Sequence, residues 1–204
     1  MADSHRYPIP AAETRVELRI QNSRFIGTAG PTPTIDDAKA LIARVRAEFA
    51  DATHNVFAYV IGYGATTTLG MSDDGEPAGT AGRPALAVLR GSRLGDVGVV
   101  VTRYFGGTLL GTGGLVRAYS DTVRAVLDAL PRTEKVERRA ALLTIPYNAY
   151  EQVKRLVTTH NGMIQSEEFA ARVTLMLVFA VDDLLPFEVE LRDLTAGQAK
   201  FSLI

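Results

Sequence analysis

Cysteine and tryptophan are both absent from the 204 residues of this chain. Without cysteine the chain has no disulfide bond, no thiolate metal site and no cysteine nucleophile. Long apolar runs are missing too, since a stretch such as 173–181 is far too short to span a bilayer. The first ten residues lack the apolar core of a signal peptide. We therefore expect a cytoplasmic protein with no membrane partner.

A large excess of charge is also lacking, because 22 basic residues face 23 acidic ones and the formal net charge is −1. This balance excludes a protein coated with positive charge for nucleic acid, but it allows a local basic face. Six arginines that could build such a face lie close together in the sequence: Arg83, Arg90, Arg93, Arg103, Arg117 and Arg124. Hydrophobic residues make up 47% of the chain, which is enough for an ordinary globular core.

The segment 97–130 has the order strand, glycine-rich loop, helix. Residues 97–102 are apolar or β-branched without alternation, which predicts a strand covered on both faces. From Leu115 onward the apolar residues recur at helical spacing. Free N–H groups at the start of such a helix attract anions, and neighbouring arginines can grip a phosphate. The predicted anion-binding residues are Arg83, Arg103, Gly106, Gly107, Gly111, Gly113, Gly114 and Arg117.

The glycine-rich loop matches neither common nucleotide-binding motif. Residues 106–112 have the glycine spacing of a phosphate loop but lack its lysine, and residues 111–116 lack the third glycine of the dinucleotide motif. A tight turn whose arginines are solvated or paired with carboxylates therefore remains the alternative interpretation.

Four more residues are candidates for catalysis if the protein is an enzyme: His54, Asp73, Asp74 and Glu76. The three carboxylates lie on one turn and could hold a hard cation such as Mg²⁺, or they could simply be solvated. His54 precedes a strand and could act as an acid, a base or a ligand, or only form a local hydrogen bond. We expect no cofactor, with Mg²⁺ on the three carboxylates as the alternative.

Two domains are predicted. Residues 1–131 form an α+β domain that starts with a loose arm over 1–12, and the charged segment 132–139 is a linker. Residues 140–204 read strand, helix, strand, strand, helix, strand, which is the ferredoxin-like βαββαβ pattern.

Three long segments together resemble the IMPACT/YigZ family: 52–55, 72–84 and 99–119. The segment 22–26 is similar to that family as well. The resemblance implies an N-terminal α+β sandwich of the fold shared by a ribosomal protein domain and the GHMP kinases. It also implies a C-terminal ferredoxin-like domain similar to the last domain of elongation factor G. The function that it implies is regulation of translation, with RNA or the ribosome as partner.

Three functional hypotheses follow. The favoured one is a translation-associated regulator that binds RNA or the ribosome through the glycine- and arginine-rich anion site. The second is a metal-dependent enzyme that acts on a phosphorylated small molecule or a nucleotide, and the third is a pure interaction module. We expect a binding protein rather than an enzyme, and the sequence leaves the oligomeric state open.

Overall fold

The computed structural model of the protein describes residues 5–64 and 67–204, and the chain divides into two units between Lys135 and Val136. The strands of the first unit are β1 Arg6–Pro10, β2 Thr14–Ile20, β3 Ser23–Pro31, β4 His54–Ile61, β5 Thr68–Ser72, β6 Val97–Tyr104 and β7 Arg132–Val136. Its helices are α1 Ile35–Glu48, α2 Gly82–Gly91 and α3 Gly111–Ala129.

The main sheet of this unit has five strands in the order β2-β3-β6-β4-β5, and every neighbouring pair is antiparallel. Strand β6 lies at its centre, and all but its last residue are buried. Val100 packs against Leu41 and Val45 of α1 on one face of the sheet. On the other face, Val99 and Val101 belong to a core that includes residues of α2 and α3. The prediction of a strand covered on both faces is therefore confirmed.

The second unit is a four-stranded antiparallel sheet in the order β11-β8-β10-β9. Its elements are β8 Arg138–Ile145, a 3₁₀ turn Tyr147–Ala149, α4 Tyr150–Thr159, β9 Met163–Phe169, β10 Val173–Ala180, α5 Val181–Leu194 and β11 Lys200–Leu203. This order and connectivity are those of the ferredoxin-like fold. The predicted two-domain α+β class is thus confirmed.

The arm over residues 1–12 is not loose, because it contains β1, which pairs with β7 as a two-stranded ribbon. The predicted boundary segment 132–139 includes the division between Lys135 and Val136, but its residues belong to β7 and the start of β8. Asp96 binds both strands of the ribbon. Its buried carboxylate accepts a hydrogen bond from the Tyr7 hydroxyl of β1 at 3.2 Å and from Lys135 Nζ of β7 at 2.5 Å. Strand β5 is not among the predicted elements.

Among the described residues, no helix combines the length and the apolar composition needed to cross a membrane.

Candidate functional site

A buried polar cluster lies where β6, α3 and the turn after β5 meet. Arg103 Nη1 donates a hydrogen bond to Glu76 Oε1 at 2.5 Å, and the Tyr119 hydroxyl donates to the same oxygen at 2.7 Å. The other oxygen, Glu76 Oε2, lies 3.9 Å from His54 Nε2. Arg103 is only 5% exposed and Tyr119 is fully buried. One carboxylate oxygen is therefore saturated, while the other faces the imidazole.

Strand register brings the members of this cluster together. His54 lies opposite Arg103 in the β4–β6 pairing, and Phe25 lies opposite Arg103 in the β3–β6 pairing. The Arg103 guanidinium carbon is 5.4 Å from the Phe25 ring centre and 5.5 Å from that of Phe105. Because aromatic rings flank the guanidinium, little water screens it, and its charge depends on Glu76 for compensation.

The hydroxyl of Tyr119 stays protonated over the whole working range of pH. Burial, together with the neighbouring Glu76 carboxylate, raises the pKa of Tyr119 far above its ordinary value. The Tyr119 hydroxyl is accordingly a permanent hydrogen-bond donor to Glu76 and takes no part in proton transfer.

Asp73 holds the turn after β5 in place. Its carboxylate accepts hydrogen bonds from the main-chain N–H groups of Gly79 at 2.8 Å, Ala81 at 3.0 Å and Gly82 at 2.7 Å. These bonds cap the start of α2. Burial favours the neutral carboxyl group, but the three N–H donors favour the charged form more strongly, so the pKa of Asp73 is lowered.

This lowered pKa predicts a pH-dependent contribution to stability. The contribution is fully present above the ordinary carboxyl pKa of about 3.9 and is lost as the pH falls through the lower pKa of the folded state. We expect the free energy of unfolding to fall less steeply with acid in Asp73→Asn than in the wild type, as measured by urea denaturation at a series of pH values. The control is Asp36→Asn, which removes the same charge from a side chain that is 93% exposed. Equal slopes for the wild type and Asp73→Asn would contradict this role.

Asp74 is engaged elsewhere. It has a positive φ of 47°, and its carboxylate accepts hydrogen bonds from the Asn55 main-chain N–H at 2.6 Å and from Arg46. Its carbonyl oxygen lies 2.7 Å from His54 Nδ1. A carbonyl can only accept, so His54 Nδ1 carries a proton, and Nε2 is an acceptor when the ring is neutral and a donor when it is charged.

The three carboxylates that the sequence grouped as ligands for Mg²⁺ thus face different donors. Asp73 binds main-chain amides, Asp74 binds Asn55 and Arg46, and Glu76 binds Arg103 and Tyr119. In residues 5–64 and 67–204, no group of three or more histidine or acidic side chains could hold a metal ion. The three carboxylates therefore do not come together as one ligand group in the described structure, because the turn is ordered by its own hydrogen bonds.

A cavity of about 440 Å³ opens beside the polar cluster. His54, Glu76 and Arg103 form its polar wall. Its other walls include Phe105, Leu109, Leu110 and Leu115, together with Gly111 and Thr112 from the start of α3. Leu109 is 86% exposed at the rim. The cavity therefore joins an apolar wall, a charged wall and the beginning of a helix; we call it the α3 cavity.

The positions of the loop differ in why they are occupied by glycine. At Gly106 a Cβ would lie 1.9 Å from the main-chain oxygen of Asn22, so only glycine fits. Gly107 and Gly111 have positive φ values of 82° and 69°. Gly113 has neither restriction: its φ is not positive, and a Cβ would meet nothing within 4 Å. Its glycine leaves open space in front of the helix start.

The start of α3 is uncapped. Leu110 at the N-cap makes no side-chain hydrogen bond, and the first turn contains no acidic residue. The main-chain N–H groups of this turn are the ones that helix geometry leaves without partners inside the helix. The seat for negative charge at residues 111–114 stays a prediction, with these N–H groups as its donors.

The predicted arginines do not converge on one point. Arg103 lines the α3 cavity with its charge compensated by Glu76, whereas Arg117 is exposed on α3. Arg83 lines a separate groove of about 760 Å³ between α2 and α3, together with Arg124 and Arg132. Of the predicted anion-binding residues, Arg103 and Gly111 thus line the cavity and Arg83 lines the groove, while Arg117 lines neither.

Comparison with known families bears on this same region. The model of the Impact N-terminal domain matches residues 21–127, more than half of the chain, and includes the polar cluster, the α3 cavity and the groove apart from Asp128 and Arg132. The chain belongs to the IMPACT family. A second model, described only as a domain of unknown function, matches residues 143–198 of the ferredoxin-like unit.

Relatives in the IMPACT family align over almost the full chain. A member from Haemophilus influenzae is 39% identical over 199 residues and covers 97% of each chain. The Escherichia coli member YigZ is 39% identical over 197 residues, which is 96% of this chain and 97% of its own. A crystal structure described only as that of a hypothetical protein is 38% identical, has a TM-score of 0.69, and the match covers 98% of this chain and 97% of that one.

Sequence reasoning missed three residues of the site: Tyr119, Phe105 and Leu109. Tyr119 fits the apolar stripe of α3, which predicts a core residue, but a buried tyrosine hydroxyl needs a partner, and Glu76 is that partner. Phe105 and Leu109 follow β6 in an apolar-rich loop, and their exposure at the rim was not evident from the pattern.

Proposed function

We propose that this IMPACT family member is a translation-associated regulator that binds RNA, free or within the ribosome, by its phosphate groups. The observation that carries the proposal is the start of α3, where Leu110 at the N-cap makes no side-chain hydrogen bond and a Cβ at Gly113 would meet nothing within 4 Å. The positive end of a helix with free N–H groups favours a phosphate. A glycine there costs helix stability, which is reasonable if a ligand must approach the main chain.

Basic side chains continue from this point along α3. Arg117 and Arg124 share one stripe of the helix with Gly113, since residues three and four apart are neighbours on its surface. Asp121 lies on the same stripe and accepts a hydrogen bond from Arg124 Nη1 at 2.7 Å, which leaves Arg117 as the arginine of the stripe whose charge is not paired in this way in the part of the chain that the structure describes. Arg83 and Arg132 line the groove beside that stripe, and Asp128 is its only acidic lining residue among the described ones. A row of arginines beside helix amides is suited to successive phosphates of one strand.

The proposal predicts that RNA binding depends on salt through a small number of phosphate contacts. In the double variant Arg83→Gln/Arg117→Gln we expect the slope of log K against log salt concentration to fall by about 1.4, or roughly 0.7 per lost contact with a single strand. Fluorescence anisotropy with a labelled single-stranded oligonucleotide at several salt concentrations measures this slope. Arg19→Gln is the control, because its side chain is 80% exposed on β2, outside the groove.

Two results would overturn the proposal. One is absence of RNA binding at low salt, where electrostatic contacts are strongest. The other is a change of slope that is the same, per arginine removed, in the double variant and in Arg19→Gln. Such a result would indicate a general effect of charge and no defined set of phosphate contacts.

A further inference from the structure

The α3 cavity has features that phosphate binding does not require. We propose that it holds a guanine base whose 5′-phosphate lies at the uncapped start of α3. The base belongs either to an unstacked nucleotide of RNA, in which case the inference rests on the proposed function, or to a free mononucleotide. Three features of the cavity support this: its apolar walls, its polar wall and the helix start.

The apolar walls suit a flat ring. Phe105 and Leu109 are exposed at the rim, and Leu110 and Leu115 lie further along the lining. A patch of exposed apolar side chains around a cavity is typical of a binding surface. Single-stranded RNA is recognised by inserting unstacked bases against aromatic and apolar side chains. A volume of about 440 Å³ is within the range of sites for small ligands.

The polar wall presents two neighbouring acceptors. Glu76 Oε1 is saturated by Arg103 and Tyr119, but Oε2 has no hydrogen bond among the described residues and lies 3.9 Å from His54 Nε2. With Nδ1 donating to the Asp74 carbonyl, the Nε2 of a neutral His54 ring is a second acceptor, and the proposed guanine site requires this form of the ring. The Watson–Crick edge of guanine has two adjacent donors, N1–H and N2–H. The other three bases place an acceptor beside their donor, which would face a carboxylate.

Arg103 adds a donor to this pattern. Arg103 lines the same cavity. A guanidinium has five N–H donors, and the hydrogen bond given for Arg103 among the described residues uses only Nη1, so donors remain for a ligand acceptor on this wall. The wall thus offers one donor, Arg103, and two acceptors, Glu76 Oε2 and His54 Nε2. The guanine edge is complementary, with the acceptor O6 and the donors N1–H and N2–H.

The helix start supplies the place for the phosphate. Gly111 and Thr112 belong both to the lining of the α3 cavity and to the first turn of α3. A nucleotide with its base in the cavity can therefore direct its phosphate toward the free amides. The negative charge of the phosphate is favoured there because the first turn of α3 carries no acidic residue.

Calorimetric titration of the full chain with mononucleotides tests the inference. We expect GMP to bind at least tenfold more tightly than AMP, CMP and UMP, and more tightly than guanosine, which lacks the phosphate. Inosine monophosphate lacks the N2 amine, so it should bind more weakly than GMP in the wild type and equally in His54→Ala. Leu109→Asp should abolish GMP binding, whereas Leu185→Asp, at a residue 70% exposed in the other unit, should not.

The outcomes separate the inference from the proposed function. Equal affinity for all four mononucleotides, or GMP binding that survives Leu109→Asp, overturns the guanine site. RNA binding with the expected salt slope but without guanine preference and without GMP binding also overturns it, and leaves the proposed function standing. GMP binding without any RNA binding supports the site, makes the free mononucleotide the source, and removes the proposed function.

Discussion

Glu76→Ala is expected to destabilise the protein by about 3–5 kcal/mol, because it leaves the Arg103 charge buried without a partner. The same change removes the acceptor of the buried Tyr119 hydroxyl. Equilibrium urea denaturation followed by circular dichroism measures the free energy of unfolding. We expect Arg103→Ala to have an effect of similar size, since it strands the carboxylate instead.

Two further variants show whether the loss comes from the uncompensated charge. Glu48→Ala removes a carboxylate from an exposed pair with Arg15, and exposed pairs contribute about 1 kcal/mol or less. The triple variant Glu76→Leu/Arg103→Met/Tyr119→Phe removes every polar partner at once and should recover most of the lost stability. A cost of Glu76→Ala no greater than that of Glu48→Ala would disprove the buried ion pair.

Gly106→Ala is expected to cost roughly 3 kcal/mol, at the upper end of the usual range for overpacked sites. A Cβ at this position would lie 1.9 Å from the main-chain oxygen of Asn22, and main-chain atoms cannot rotate away as a side chain can. The loop would have to separate from the β2–β3 turn, which also breaks the contact between the Gly106 N–H and Ser23 Oγ. Thermal unfolding monitored by circular dichroism gives the change in stability.

Gly113→Ala is the matched control, with an opposite expected result. A Cβ there meets nothing within 4 Å, so alanine should raise the stability by roughly 0.5–1 kcal/mol through its better helix propensity. We expect the same variant to weaken RNA binding, because the methyl group occupies the space before the helix amides. A stabilised Gly113→Ala protein with undiminished RNA binding would argue against the phosphate site.

The sequence was sufficient to predict the parts of the site but not their arrangement. The order of β6, glycine-rich loop and α3 follows from local patterns, and so does the ferredoxin-like order of the second unit. His54, Glu76 and Arg103 were each singled out for their chemistry. Their meeting depends on the register that places His54 opposite Arg103, and register is set by pairing between strands far apart in sequence.

The failures have physical causes as well. Pro8 and Pro10 argue against regular structure, but proline is tolerated where a strand has an edge free, as in a two-stranded ribbon. The charges of β7 indicated a linker because its side chains are mostly exposed, which a ribbon strand allows. The carboxylates near residue 74 indicated a cation because composition does not reveal which main-chain amides will fold onto them.

The ribbon of β1 and β7 also has a consequence for how the molecule is made. About 120 residues separate its two strands in the sequence. Closing so large a loop is slow, and contacts between distant segments form late. During synthesis of the chain, β1 cannot pair with β7 until β7 has left the ribosomal exit tunnel. Co-translational folding of the first unit can therefore be completed only when synthesis of the second has already begun.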